Sequence, residues 1–265
     1  MLLEVKNLNV SFSTPVVKDV NFCVKEGSWT TIVGESGSGK TISALSICRL
    51  LKPRHIQGEI IFYSKKNEAT DLLRLPETEL VKIRGKEIAT IFQDPASSLN
   101  PLMRIGRQIQ EAYQAHVEVE ERSAVQKTKE ALASLRIRDV QRVFASYPHE
   151  LSGGMKQRVM IAMALISNPK LLIADEPTTA LDASTEKEIV ELLLQIKQER
   201  ALSILFITHN LTLALAHSEN IYVMREGRIV EALDKENGFR PQEAYTKRLF
   251  SAQLTHAKPK SIIEV

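Results

Sequence analysis

The chain has 265 residues, 43% hydrophobic and 25% charged, with a formal net charge of +3. That length and balance suit an ordered protein with one large domain, or one domain carrying an insertion, and give no reason to expect long disorder. So small a net charge neither demands nor excludes a nucleic-acid partner.

Residues 2–33 alternate as three strands, carrying Leu3, Val5, Leu8 and Val10, then Val17, Val20, Phe22 and Val24, then Trp29, Thr31 and Val33. Pro15 and Lys25-Glu26-Gly27 mark the turns between them. Glu4, Lys6 and Asn7 interrupt the N-terminal apolar run, so no signal peptide is expected there. Directly after Val33 comes Gly34-Glu35-Ser36-Gly37-Ser38-Gly39-Lys40-Thr41, and Ile42, Leu45 and Leu50 then begin a helical pattern. A glycine-rich turn thus joins a buried strand to a helix, the setting that a phosphate-binding G-x-x-x-x-G-K-[S/T] loop requires. Lacking side chains at Gly34, Gly37 and Gly39, the backbone can turn tightly and aim N–H groups inward beside the positive end of the helix. Lys40 supplies a cation for β- and γ-phosphates, and the Thr41 hydroxyl a ligand for Mg²⁺.

Pro53 stops that helix, and residues 58–62 resume as a short strand. Residues 64–87 are polar and irregular around a short helix at 77–83, and residues 88–92 form another strand, with Gln93 at its end. From Asp94 to about residue 150 the pattern is mostly helical, with Ile105, Ile109 and Tyr113 on one face and Val125, Ala131, Leu132 and Leu135 on a later one. This segment is expected to be a helical insertion in an α/β core rather than a separate domain. After Leu151-Ser152-Gly153-Gly154-Met155 a helix carries Met155, Val159, Ala162, Met163 and Ile166, closed by Pro169. Leu171-Leu172-Ile173-Ala174 reads as a central strand ending in Asp175-Glu176-Pro177, residues 185–199 as a helix, and 203–208 as a buried strand followed by His209. Residues 221–224 and 228–230 form a hairpin through Glu226-Gly227, and residues 244–254 a last helix before a tail without period. No stretch approaches the length of a membrane span. Cys23 and Cys48 lack CxxC spacing, which argues against a disulfide scaffold or metal cluster; both are expected to be buried in the core, in a reducing compartment.

Asp175 and Glu176 stand at the carboxyl end of an apolar strand, where open α/β sheets bind ligands. An acidic pair there is often only a solvated turn or helix cap. Beside a phosphate loop it becomes a set able to hold Mg²⁺ through Asp175 and poise water through Glu176. His209 is placed to contact a γ-phosphate or to be an ordinary structural histidine, and Gln93 to sense magnesium or water or to be a solvated amide. Phe12 is placed to stack on adenine or to fill the core. Ser152, Gly153 and Gly154 open a helix as an N-cap, or as an anion grip that lacks a lysine of its own and makes more sense over nucleotide held by another subunit.

Together these motifs resemble the ATP-binding cassette (ABC) ATPases over nearly the whole chain. Residues 34–41 match Walker A, residues 151–155 the family signature, and residues 171–176 Walker B. Gln93 falls at the Q-loop, Ala180-Leu181-Asp182 at the D-loop, His209 at the switch histidine and Phe12 at the aromatic A-loop position. The resemblance implies an α/β fold, a P-loop NTPase core of ABC type with an N-terminal antiparallel β subdomain and an inserted helical subdomain. The expected division is a core of residues 1–93 and 156–250, an insertion of residues 94–155 that includes the signature loop, and a tail of residues 251–265. ATP and Mg²⁺ are the implied cofactors. Nucleotide contacts fall to Phe12, Gly34, Ser36, Gly37, Ser38, Gly39, Lys40, Thr41 and Gln93, metal contacts to Thr41, Gln93 and Asp175, and catalysis to Glu176, His209 and Lys40. The family pairs head to tail, which implies that Ser152, Gly153 and Gly154 touch nucleotide across the interface while Asp182 couples the two sites.

More narrowly, Phe92-Gln93-Asp94-Pro95-Ala96-Ser97-Ser98-Leu99-Asn100-Pro101, Tyr147-Pro148-His149-Glu150 and Ala244-Tyr245-Thr246 resemble the dipeptide, oligopeptide and nickel import branch. That implies a peripheral motor on the cytoplasmic face of the membrane, bound to two integral membrane permease subunits. A second ATPase, paralogous or identical, and an external substrate-binding protein complete the system, with no nucleic acid. The cargo implied is peptides, nickel or metal chelates. The cysteine cluster of many peptide-branch members is missing, and the compact length looks closer to the nickel or metallophore members. Asn210 stands where the branch commonly has Asp, a change expected to weaken local hydrogen bonding while leaving His209 in place. The rival readings are a soluble ABC ATPase without permeases and a noncatalytic assembly subunit. Scattered charge speaks against a nucleic-acid user, and the presence of Glu176, His209 and Ser152 against a dead enzyme.

Overall fold

The computed structural model describes residues 1–63 and 68–256. β1 (Leu3–Ser11) and β2 (Pro15–Val24) pair antiparallel, and their alternation buries Leu3, Val5, Leu8, Val10, Val17, Val20, Phe22 and Val24. β3 (Trp29–Val33) is buried at every position, as a strand covered on both faces must be. It leads through the glycine-rich loop into α1 (Lys40–Ile47). β4 (His55–Tyr63) and β5 (Ala69–Asp71) then complete a four-stranded antiparallel sheet in the order β2-β1-β4-β5. β4 starts three residues earlier than its apolar run suggests because His55 and Ile56 pair with the far end of β1. β5 falls in the stretch expected to be irregular, and residues 64–67 of that stretch lie outside the described residues.

α2 (Glu77–Ile83) precedes β6 (Ile88–Ile91), after which the chain turns helical. α3 (Pro95–Ser98), α4 (Ile105–Gln114), α5 (Glu121–Ser134), α6 (Val140–Ala145) and a 3-10 turn at Pro148–Glu150 lead into α7 (Gly153–Leu165). α4 crosses α6 where Gly106 faces Phe144; a Cβ at Gly106 would lie 2.6 Å from the ring, so only glycine allows that approach. Ile105, Ile109, Leu132 and Val143 of this layer share one hydrophobic cluster with Trp29, Leu172 and Phe206 of the sheet. The insertion is therefore fused to the α/β core. Each fully buried Leu, Ile or Val in that shared cluster contributes about 2 kcal/mol by leaving water.

β7 (Leu171–Asp175), α8 (Ala183–Arg200), β8 (Ser203–Thr208), α9 (Leu211–His217), β9 (Asn220–Arg225), β10 (Arg228–Asp234) and α10 (Ala244–His256) return the chain to the core. α8 has Asp182 as its N-cap, Glu186 in its first turn and Lys197 and Arg200 in its last, charges that complement the helix dipole at both ends. The second sheet runs β10-β9-β3-β8-β7-β6, parallel except for β10. Its register aligns Val33 with Thr208, Asp175 with Ile207 and Ile91 with Ala174. The carboxyl ends of four strands thus open on one edge, with the glycine-rich loop, His209, Glu176 and Gln93 directly beyond them.

Cys48 is buried as expected, and burial pushes its thiol up to about 12. Cys23 is only half-buried, because alternation along β2 turns it from the core toward the hydroxyl of Tyr222, 3.3 Å from Sγ. Among the described residues no helix is long and apolar enough to cross a membrane. Of the expected tail, residues 257–265 lie outside the described residues.

Candidate nucleotide site

Three kinds of group converge on the common strand edge. The first is a phosphate loop. Gly39 is the N-cap of α1 with φ 105°, a left-handed conformation that costs glycine nothing, and no side chain caps the helix. By contrast α8 and α9 are capped by the side chains of Asp182 and Asn210. The first-turn N–H groups of α1 are thereby left to an anion. Lys40 is buried, and its ammonium donates to the carbonyls of Gly34 and Glu35, each at 2.9 Å, and lies 4.0 Å from Oε1 of Glu176. Burial holds its pKa below the usual lysine range, against the opposing pull of Glu176 and Asp175.

The second is the strand-end acid pair. Thr41 Oγ1 donates to Oδ1 of Asp175 at 3.0 Å, tying the first turn of α1 to the end of β7. Burial raises the Asp175 pKa, the Thr41 hydrogen bond lowers it, and the Glu176 charge raises it further. Among the described residues no three His, Cys, Asp or Glu are grouped as a metal cage. A hydroxyl and a carboxylate touching each other fit a hard divalent cation that takes its remaining ligands from water and phosphate oxygens.

The third is a set of groups around Glu176, which sits at φ 44° just past β7. Its amide donates to the Ile207 carbonyl of β8, holding the residue in that strained backbone region. Oε2 accepts from Gln93 Nε2 at 3.3 Å and from Thr179 Oγ1 at 2.9 Å, and lies 3.4 Å from His209 Nδ1. One carboxylate oxygen is therefore shared by residues after β6, β7 and β8. Asn210 keeps the cap expected of an aspartate: its Oδ1 accepts from Leu213 N at 3.2 Å, and its own N–H donates to Thr208 Oγ1 at 2.9 Å.

Val16, Ser36, Gly37, Gly39, Lys40, Thr41, Ile42, Gln93 and Glu176 line one open cleft. A wider cleft of about 490 Å³ lies between the loop and α10, near Arg225 and Arg248, but Lys40, Thr41, Gln93 and Glu176 line the first. Ser38 is buried within the loop. Phe12 is half-buried against the core shared by the two sheets and is not among the described residues lining the cleft. Ser152, Gly153 and Gly154 stand apart from the cleft at the start of α7, Ser152 accepting from Met155 N at 3.4 Å. A Cβ on Gly154 would lie 2.7 Å from Thr185 Cγ2, so the signature turn packs against the start of α8. There Asp182 accepts from Ser184 N and Thr185 N, and from Thr185 Oγ1 at 2.7 Å. Those bonds hold its carboxyl below the usual range, the Thr185 hydroxyl foremost.

Val16 and Ile42 of the cleft, and Thr179 beside Glu176, escape sequence reasoning as site residues. Thr179 is legible in hindsight as a hydroxyl three residues past Glu176 in the same turn. Val16 has no local signal, since only the packing of β2 brings it to the phosphate loop.

The ABC transporter family model matches residues 17–179. The chain is 45% identical to the peptidoglycan transport ATP-binding protein YejF of Agrobacterium fabrum, over 98% of this chain and 48% of that protein. It is 44% identical to a probable peptide ABC transporter ATP-binding protein, y4tR, of Sinorhizobium fredii (95% of this chain, 76% of that one). It is 43% identical to the oligopeptide transport ATP-binding protein OppD of Haemophilus influenzae (95% and 78%). The chain thus spans about half the length of the first relative and three quarters of the other two. Among solved structures it resembles the dimeric post-hydrolysis state of the cassette MJ0796 bound to ADP and Pi, with a TM-score of 0.76, 28% identity, and coverage of 91% of this chain and 100% of that one. It also resembles cbiO1 of Clostridium perfringens, part of the cbiONQ transporter complex, with a TM-score of 0.75, 28% identity and 96% of each chain covered. Family model, relatives and architecture agree with the chemistry of the strand edge, and the chain belongs to the ABC transporter family as one of its ATP-hydrolysing cassettes.

Proposed function

We propose that this chain is the ATPase subunit of an importer of peptides. The observation that carries the catalytic half is the sharing of Glu176 Oε2 by Gln93, Thr179 and His209 beside an uncapped phosphate loop. Peptide cargo is supported by the names of the relatives y4tR and OppD.

In this reading the first-turn N–H groups of α1 and the Lys40 ammonium hold the β- and γ-phosphates, and Phe12 approaches the adenine from the β1–β2 turn. Thr41 and Asp175 hold magnesium with Gln93 alongside; the bound ion supplies charge neutralisation on the phosphates. Glu176 accepts a hydrogen bond from the attacking water and orients it in line with the γ-phosphate. His209 and Gln93 fix the carboxylate, and His209 reaches the γ-phosphate. Ser152, Gly153 and Gly154 close over nucleotide held by a second ATPase, paralogous or identical, and Asp182 couples the two sites. Residues 1–93 and 156–250 are the core and residues 94–155 the insertion, with α10 running past the expected boundary at 250. The chain works at the cytoplasmic face of the membrane, bound to two permease subunits and served by an external binding protein.

The test is a mild-detergent pull-down of the chain from native membranes, with ATPase assayed on candidate cargo and its binding protein. Two copurifying permeases and stimulation by a peptide-loaded binding protein are expected. Stimulation by nickel or a metal chelate alone would replace the cargo, and recovery only with cytosolic factors would overturn the transporter.

A further inference from the structure

β9 and β10 are joined by Glu226 and Gly227, with Arg225 paired to Arg228. Both turn residues have positive φ, 49° and 85°, the signature of a tight two-residue hairpin. This hairpin is wedged into the nucleotide site. The Gly227 N–H donates to the Ser38 carbonyl of the phosphate loop at 2.9 Å, and the Gly227 carbonyl accepts from Lys18 N of β2 at 2.8 Å. There is no room for a side chain, since a Cβ on Gly227 would lie 2.3 Å from the Val16 carbonyl oxygen. From the other side, a Cβ on Gly39 would lie 3.3 Å from that same oxygen and 3.6 Å from Gly227 Cα. The two atoms nearest the missing Cβ of Gly227 are backbone atoms of Val16, so no flexible side chain can yield there.

Val16 of β2 and Gly37, Gly39 and Lys40 of the loop and α1 all line the cleft. Gly227, hydrogen-bonded to Lys18 of β2 and to Ser38 of the loop, ties the strand that carries Val16 to the loop that carries Gly37, Gly39 and Lys40. We propose that Gly227 is a positioning residue for ATP, a strut that fixes the width of the cleft between β2 and the phosphate loop. It deepens the reading of this cleft as the ATP site and rests on it. Glu176, Gln93 and His209 sit past β7, β6 and β8, away from the strut, so a misplaced β2 wall weakens nucleotide binding while leaving the water-directing groups in register.

The test compares the purified chain carrying Gly227→Ala with the chain carrying Gly238→Ala, both by titration with ATP and by steady-state hydrolysis. Gly238 has φ 67° with nothing within 4 Å of its missing Cβ, so it carries the same backbone penalty without the wedge. Gly227→Ala is expected to raise the Kd and KM for ATP roughly tenfold with kcat at saturation within about threefold, the pattern of lost uniform binding. Gly238→Ala is expected to match the parent. Equal behaviour of the two variants, or a fall in kcat at unchanged KM, would overturn the strut. Should Gly227→Ala fail to fold, Lys18→Pro deletes the N–H that Gly227 accepts from, on an edge strand that tolerates proline, with Lys18→Ala as the control for the lost side chain. Lys18→Pro is expected to raise Kd several-fold over that control, and an unchanged Kd would overturn the proposal. Lys40→Ala tests the underlying reading separately: parental ATP affinity there would mean that the cleft is not the ATP site.

Discussion

Gln93 Nε2 donates to Oε2 of Glu176 across 3.3 Å, joining the loop after β6 to the loop after β7 although 83 positions separate the two residues. Because Gln93 directly precedes the helical insertion, a shift of that layer can reach the Glu176 carboxylate through this bond. Gln93→Ala is expected to lower kcat about tenfold to a hundredfold while changing the ATP KM far less, since the amide orients Glu176 rather than gripping phosphate. An ATP titration of the variant checks it, and a pure KM effect would contradict that role.

Asp175 is held with its pKa raised, chiefly by burial. A carboxyl that binds its proton more tightly when folded favours the fold most below the unfolded value, near 4, and that contribution is lost as pH rises through the folded value. Asp175→Asn keeps an acceptor for the Thr41 hydroxyl and removes the buried charge. The nucleotide-free variant is expected to melt about 2–4 °C above the parent at pH 7 and level with it near pH 3.5, while losing hydrolysis. Melting curves at the two pH values decide it; a variant less stable than the parent at pH 7 would contradict the burial argument.

If the signature turn serves nucleotide held by a partner copy, two dead variants should complement each other. Lys40→Ala removes the cation of one site, and Ser152→Arg blocks the grip that the same composite site receives from the other chain. Mixing the two leaves one intact site per mixed pair, so turnover absent from either variant alone should return. Continued inactivity of mixed pairs, with pairing verified, would place Ser152 in its own chain's site.

Local chemistry made the site readable. A phosphate loop between a strand and a helix, and an acid pair closing an apolar strand, each announce themselves within eight residues. β8 and α2 are likewise found at the expected bounds, Ser203–Thr208 and Glu77–Ile83. What stayed hidden depends on distant pairing. β5 has three residues, too few to show alternation, and exists because Ala69–Asp71 pairs with the end of β4. α9 has only seven residues, too few to establish a helical period, and starts at its Asn210 cap. Val16 and Gly227 reach the phosphate loop only once β9 has docked beside β3, a neighbour 190 positions away in places. Cys23 shows the same limit on a smaller scale, since its face of β2 meets Tyr222 rather than the core.

The most direct measurement pairs ATP binding with ATP hydrolysis in Glu176→Gln, which keeps the side-chain size and the Thr179 hydrogen bond but removes the carboxylate. The expected result is parental ATP affinity with hydrolysis reduced about a hundredfold or more, as loss of a group that positions the attacking water requires. Undiminished turnover in that variant would contradict the assignment of the strand-edge cleft as the site of hydrolysis.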